Sequence, residues 1–215
     1  MRLRFKKNRL ILTAAGASWL LLIGAGVWIL RGYESTPGVA AAAPDRWPAA
    51  SRVEPAADRA TLVMTAHPHC PCTRASIGEL ARLMTEARGR VTAYVLFVRP
   101  RGFSDGWERT GLWASAAAIP GVTPVLDDEG VESGRFSAAT SGQTVVYDAA
   151  GGLLFSGGIT RARGHAGDNA GRAAVVSLLN AGEAELSGAP VFGCPLFART
   201  ECLSGTEVGR AKNDH

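Results

Sequence analysis

Two thiols and two imidazoles fall within six residues, His67-Pro68-His69-Cys70-Pro71-Cys72. An apolar stretch, Ala60 to Ala66, precedes them, and a helical pattern beginning near Thr73 follows. The cysteines therefore sit where a strand hands over to a helix. Free backbone N–H groups and the positive end of the helix dipole stabilise a thiolate at such a place. The chemistry open to the site is thiol–disulfide exchange or the binding of a soft metal.

Pro71 sets the register. Proline is favoured at the first helical position, which makes Cys70 the N-cap and Cys72 the second helical residue. The Cys70 sulfur then faces unpaired N–H groups and is the expected nucleophile, with Cys72 resolving the mixed disulfide. A disulfide across one intervening residue closes a tight ring, and strain raises its reduction potential. Such a pair is expected to oxidise or isomerise other thiols rather than reduce disulfides. The rival chemistry is Cu(I) held by Cys70, Cys72 and His69, since thiolate and imidazole suit that soft ion. Zinc fits less well, because four ligands that include His67 cannot easily converge tetrahedrally from six residues. A structural disulfide or two inert thiols is the bland alternative, and the crowding of His and Cys at one turn argues against it.

Cys194 and Cys202 lie in a tail rich in Gly and Pro. Their spacing suits a comfortable structural disulfide loop. Alternatively, one of them resolves Cys70, or the two form a second redox pair. His165 lies just before the last helical pattern, as a capping-loop residue or as a site residue near the thiols. Arg161 and Arg163 suit either an acidic partner or a solvated loop. Asp168 or Asn169 is the expected N-cap of that helix.

The elements that must hold these residues follow from periodicity. Residues 60–66 form a buried strand. Ile77, Leu80, Met84 and Ala87 recur at helical spacing up to Gly89. Val91 to Val98 is a second strand, and a second helix runs from about Trp107 to Ala117. Val122 to Leu126 is a short third strand. Gln143 to Tyr147 and Leu153 to Ser156 flank a hairpin turn, and Asp168 to Asn180 is a closing helix. The order β-α-β-α-β-β-β-α is an α/β layout, a central sheet with helices on its faces.

The N-terminus is of another kind. Arg2, Arg4, Lys6, Lys7 and Arg9 form a basic block, and Leu10 to Leu30 carries no charge. About 20 apolar residues suffice to span a bilayer, and the basic block places the N-terminus on the cytoplasmic side. A cleaved signal peptide is the rival reading, with Ala40 to Ala43 as its cleavage site. The apolar run is longer than a signal core and ends well before those alanines, which favours an intact anchor. The net charge of +4 belongs to this anchor: beyond Glu34 there are 17 Lys and Arg against 18 Asp and Glu. No basic surface remains to suggest nucleic acid. Both readings put all four cysteines outside the cytoplasm, where disulfides persist. The expected divisions are 1–9 cytoplasmic, 10–30 transmembrane, 31–59 an extracytoplasmic tether, 60–182 the folded domain, and 183–215 a tail.

The strand running into a Cys-containing turn and helix resembles the thioredoxin-like superfamily. The segment 144–158 is similar to the hairpin that closes a redoxin domain, and 122–130 to the extra strand segment of membrane-anchored, exported redoxins. His-Cys-Pro-Cys-Thr-Arg-Ala-Ser together with Gly157 to Asn169 resembles the bacterial RedB family. The resemblance covers about residues 60–203. It implies a thioredoxin-like sheet flanked by helices and one N-terminal transmembrane helix. It also implies an inner-membrane protein with a periplasmic domain that exchanges disulfides with exported proteins or a membrane redox partner, without a cofactor. Two departures stand out. One residue, not two, separates Cys70 from Cys72, and Ser141-Gly142 occupies the place where such proteins carry a cis-proline facing the thiols. The other functions in view are a Cu(I) carrier on the same fold and a non-catalytic interaction module.

Overall fold

The computed structural model describes residues 2–39 and 41–197; Cys202 lies outside them. The chain divides into two units, the first ending at Thr36 and the second beginning at Pro37. The first unit holds one helix, α1 (Arg2–Ser35). Its apolar part, Leu10–Ser35, has a mean hydropathy of 2.0, is not buried against protein, and is long enough to cross a membrane. The helix continues beyond Leu30, where sequence reasoning ended it. Arg31 and Glu34 add charge there without removing any helical hydrogen bond.

The second unit is a six-stranded sheet of order β3-β2-β1-β4-β5-β6. Strand β1 (Ala60–Ala66) leads through helix α2 (Pro71–Glu86) to β2 (Val91–Arg99), parallel to β1. Helix α3 (Gly111–Ala117) connects to β3 (Val122–Asp128), parallel to β2 at the sheet edge. An edge position tolerates Pro124, which has no N–H to give to a ladder. The short helix α4 (Val131–Arg135) follows. Strands β4 (Gln143–Tyr147) and β5 (Leu153–Gly158) form the antiparallel hairpin, α5 (Ala170–Ala181) closes the α/β core, and β6 (Gly188–Ala189) pairs in parallel with β5 at the edge. The arrangement is thioredoxin-like, as the sequence resemblance implied.

Alternation along the strands separates two cores. Leu62, Met64, Val95, Phe97 and Val146 join the apolar faces of α2, α3 and α5. Val63, Leu96, Val145 and Tyr147 belong to a second cluster with Phe136 and Val53. No helix of the α2–α3–α5 layer covers this second cluster; the segment expected to be a loose tether does. Trp47 packs edge-on against Phe136 and Tyr147, with ring centroids 5.1 and 5.3 Å away. The Trp47 backbone N–H donates to Gly151 O at 2.8 Å, and Tyr147 Oη donates to Pro44 O at 2.9 Å. Buried Glu132 on α4 accepts from Ser51 Oγ at 2.9 Å and from Arg52 N at 3.2 Å. The segment carries no periodic pattern because it docks through separated anchors rather than through a regular element.

Two further elements differ from expectation. α3 starts at Gly111 because Thr110 caps it, its Oγ1 accepting from Leu112 N at 3.2 Å; Trp107 lies in the preceding loop. α4 forms because the buried Asp127 carboxylate accepts from Glu132 N at 2.7 Å and Ser133 N at 2.8 Å. Five residues are too few to show a helical period.

If the 41–53 segment is a structural layer, Trp47→Ala will destabilise the second unit by roughly 2 kcal/mol, less than a fully buried Trp because the ring is half exposed. Denaturant unfolding, with limited proteolysis between residues 41 and 58, measures this. Unchanged stability and unchanged cleavage would return the segment to a tether.

Candidate functional site: a cluster of three thiols

The strand-to-helix turn has the register that Pro71 predicts. Cys70 is the N-cap of α2, extended at φ −88° and ψ 125°, and Pro71 opens the helix. The turn is tied by Cys70 N donating to His67 O at 3.1 Å and by Thr73 Oγ1 donating to the same oxygen at 3.0 Å. Its other side rests on the loop before β4. There His67 N donates to Ser141 Oγ at 2.9 Å, and Thr73 Oγ1 and Ser141 Oγ are 2.9 Å apart.

Ser141-Gly142 faces the thiol turn, in the place the resemblance assigns to a cis-proline. No peptide bond is cis among the described residues. Gly142 has φ +89°, and a Cβ there would come within 2.8 Å of Ser76 Oγ on α2. Glycine suits both the backbone angle and the close approach of helix and loop. Gly142 N donates to Thr65 O at 2.7 Å, which fixes the loop to the end of β1.

The tail delivers a third thiol. Ser141 N donates to Cys194 O at 2.8 Å and Leu196 N to Ala139 O at 2.9 Å, so residues 194–196 run beside 139–141. Gly193 lies so close that a Cβ would sit 1.8 Å from Ser141 O. The Arg163 guanidinium donates to Gly193 O from the other side. As a result Cys194 Sγ stands 2.7 Å from Cys70 Sγ. The sulfurs of Cys70, Cys72 and Cys194 all lie within 4.8 Å of one another. All three are free thiols; Cys70 and Cys72 are buried and Cys194 is half-buried.

Electrostatics separates the three. Burial alone would push the Cys70 thiol up. It is outweighed by hydrogen bonding from the Cys194 thiol and by the backbone N–H groups of Cys194, Cys72 and Thr73, so the net direction is down. The Cys70 sulfur makes no strict capping hydrogen bond; the dipoles at the helix start act on it through proximity. Burial pushes Cys72 up, and the charge on Cys70 adds to the rise. Burial likewise pushes Cys194 up, to about 12, reinforced by its hydrogen bond to Cys70 and opposed by Arg163. Of the three thiols, Cys70 is therefore the one that ionises most readily.

The histidines border the cluster. His67 is held below its ordinary value by burial and then by the neighbouring His69. Its Nδ1 accepts from His69 N at 3.2 Å, which suits a neutral ring. His69 Nε2 is 3.1 Å from Trp107 O, and its ring lies 4.5 Å from that of Trp107. Thr110 Oγ1 donates to Pro68 O at 3.1 Å and pins the Trp107 loop to the turn. His69 thus faces the loop, and the three-ligand cluster contains Cys194 in its place. His165 is not among the sulfurs; its Nδ1 is 2.9 Å from Arg163 O. Buried Glu79 on α2 fixes this segment, accepting from Gly167 N at 2.7 Å and from Asn169 Nδ2 at 3.2 Å. Asn169 is the α5 N-cap, its side chain accepting from Arg172 N at 2.8 Å.

Cys194 joins the thiol cluster, and Cys202, its expected disulfide partner, lies outside the described residues. Sequence reasoning did not assign Thr73 or Arg163 to the thiol site, and neither carries a local signal that would.

Alkylation of the reduced full-length chain at pH 6 will label Cys70 well ahead of Cys72 and Cys194, because only the Cys70 thiol titrates below its ordinary range. Peptide mass spectrometry gives the order. Faster labelling of Cys72 or Cys194 would reverse the assignment.

The chain matches no protein-family profile and no curated protein sequence. Among solved structures it is similar to a hypothetical protein of Sinorhizobium meliloti 1021, with 19% identity over 75% of this chain and 97% of that one, at a TM-score of 0.56. It is also similar to an uncharacterized conserved protein of Geobacillus kaustophilus, with 19% identity over 66% of this chain and 78% of that one, at a TM-score of 0.53. A secreted Mycobacterium tuberculosis disulfide oxidoreductase, described as homologous to E. coli DsbE, overlaps more loosely. It covers 45% of this chain and 66% of its own, with 20% identity and a TM-score of 0.37. At such identities the first two likenesses are of fold, and the fold they share with this chain is an α/β sheet flanked by helices.

Proposed function

We propose that this chain is a membrane-anchored, extracytoplasmic thiol–disulfide oxidoreductase in which Cys70 is the nucleophile. The observation that carries the reading is the Cys70 thiol at the N-cap of α2, buried yet held below its ordinary range. A thiolate there attacks a disulfide of an exported protein. One partner sulfur leaves as a thiolate, and the other forms a mixed disulfide with Cys70. A second thiol of the site then attacks Cys70 and releases the partner reduced, leaving an internal disulfide. Run backwards, the same steps oxidise a partner dithiol. The Cys-Pro-Cys spacing gives the second role to Cys72. The similarity to the RedB family points the same way, and the basic block ahead of the apolar run supports a cytoplasmic N-terminus with the domain in the periplasm.

The same sulfurs favour a second reading, a Cu(I) carrier. Three thiolates, those of Cys70, Cys72 and Cys194, would hold a soft monovalent ion without His69. Copper titration of the reduced chain separates the two. Tight stoichiometric binding that is lost in Cys70→Ser favours the carrier.

Two outcomes test the proposal. Turnover of a fluorogenic disulfide peptide by the full-length chain will fall at least a hundredfold in Cys70→Ser; equal turnover in the variant and the parent would leave a non-catalytic interaction module. A periplasm-dependent reporter fused after His215 will be active in a bacterial host, and activity of a cytoplasm-dependent reporter there would refute the topology.

A further inference from the structure

The reaction needs a second thiol, and the structure offers two. Cys70 and Cys72 are separated by one residue at the start of α2, and their sulfurs lie within 4.8 Å of each other. Closing a disulfide between them makes a tight ring. Cys194 comes instead from 124 residues away and needs no helical distortion. Folding has already closed that loop, because Cys194 O and Leu196 N are both hydrogen-bonded to the segment before β4. The Gly193 contact and the Arg163 hydrogen bond hold the same stretch from two further sides. Four independent contacts therefore aim one half-buried sulfur at Cys70.

We propose that Cys194 is the resolving cysteine, so that the working disulfide is Cys70–Cys194 and Cys72 is a third thiol beside it. The inference rests on the exchange reading and goes beyond it by taking the resolving role from Cys72. In the reduced site Cys194 donates to the Cys70 thiolate and keeps its proton. When Cys70 enters a mixed disulfide, its hydrogen bond with Cys194 is broken. Cys194 then loses its proton to solvent and its thiolate attacks Cys70 Sγ. The Cys70–Cys194 bond forms, the bond from Cys70 to the partner breaks, and the partner sulfur leaves as a thiolate. Across both steps the partner disulfide gains two electrons and the two protein thiols lose them.

The test uses the full-length chain in detergent micelles, with glutathione disulfide as the partner. After limited oxidation and acid quench, peptide mass spectrometry of the parent chain will find Cys70–Cys194 as the main internal disulfide. In Cys194→Ser the glutathione adduct on Cys70 will persist at least tenfold longer than in the parent, and longer than in Cys72→Ser. Gly193→Ala keeps every thiol but forces the tail away from Ser141, and it will slow resolution as well. Main disulfides Cys70–Cys72 or Cys194–Cys202, or an adduct in Cys194→Ser that clears as fast as in the parent, overturn the inference while leaving the exchange reading standing. Failure of Cys70 to form any adduct overturns both.

Discussion

Everything at this site depends on favouring the ionised form of a thiol at a buried turn. Burying an isolated charge is strongly unfavourable, and Cys70 is 3% exposed. The protein offsets that cost locally. The backbone N–H groups of Cys72 and Thr73 at the start of α2, and the half-buried Cys194 sulfur 2.7 Å away, all favour the ionised form. Each arrangement needs a neighbour held in place, so the demand spreads outward through the fold. Pro71 sets the helix start, Ser141 ties the turn to the β4 loop, and Gly142 lets that loop approach α2.

The tail answers the same demand from the opposite side. Residues beyond α5 return as β6 (Gly188–Ala189), pairing in parallel with β5 at Gly157, where a Cβ would come within 2.3 Å of Ala189 N. From there the chain runs on to Gly193 and Cys194. Arg163 reaches Gly193 O from the loop that Glu79 anchors. α2 thus supplies both the cysteine pair and, two turns further on, the buried carboxylate that steadies the loop carrying Arg163.

Much of the α/β core was legible in the sequence. The strands at 60–66 and 91–99, the helix after Pro71 and the hairpin at 143–158 have strong periodic patterns and turn residues, and the register of Cys70 and Cys72 followed from Pro71 alone. What was not legible lacks local signature. The 41–53 segment docks through Trp47 and backbone hydrogen bonds, which leave no period. α4 depends on a buried aspartate, Asp127, four residues before its start. The approach of Cys194 to Cys70 is a tertiary contact that spacing cannot reveal. Hydrophobic pattern reports which face of an element is buried, not which distant loop meets it.

The central claim is that Cys70 is the activated thiol of a redox couple. Equilibrating the full-length chain with defined ratios of reduced and oxidised glutathione, then counting free thiols by mass, tests it most directly. The account predicts a two-electron transition between dithiol and internal disulfide that disappears in Cys70→Ser. Thiols that stay reduced at every ratio, or a transition that survives in Cys70→Ser, would contradict it.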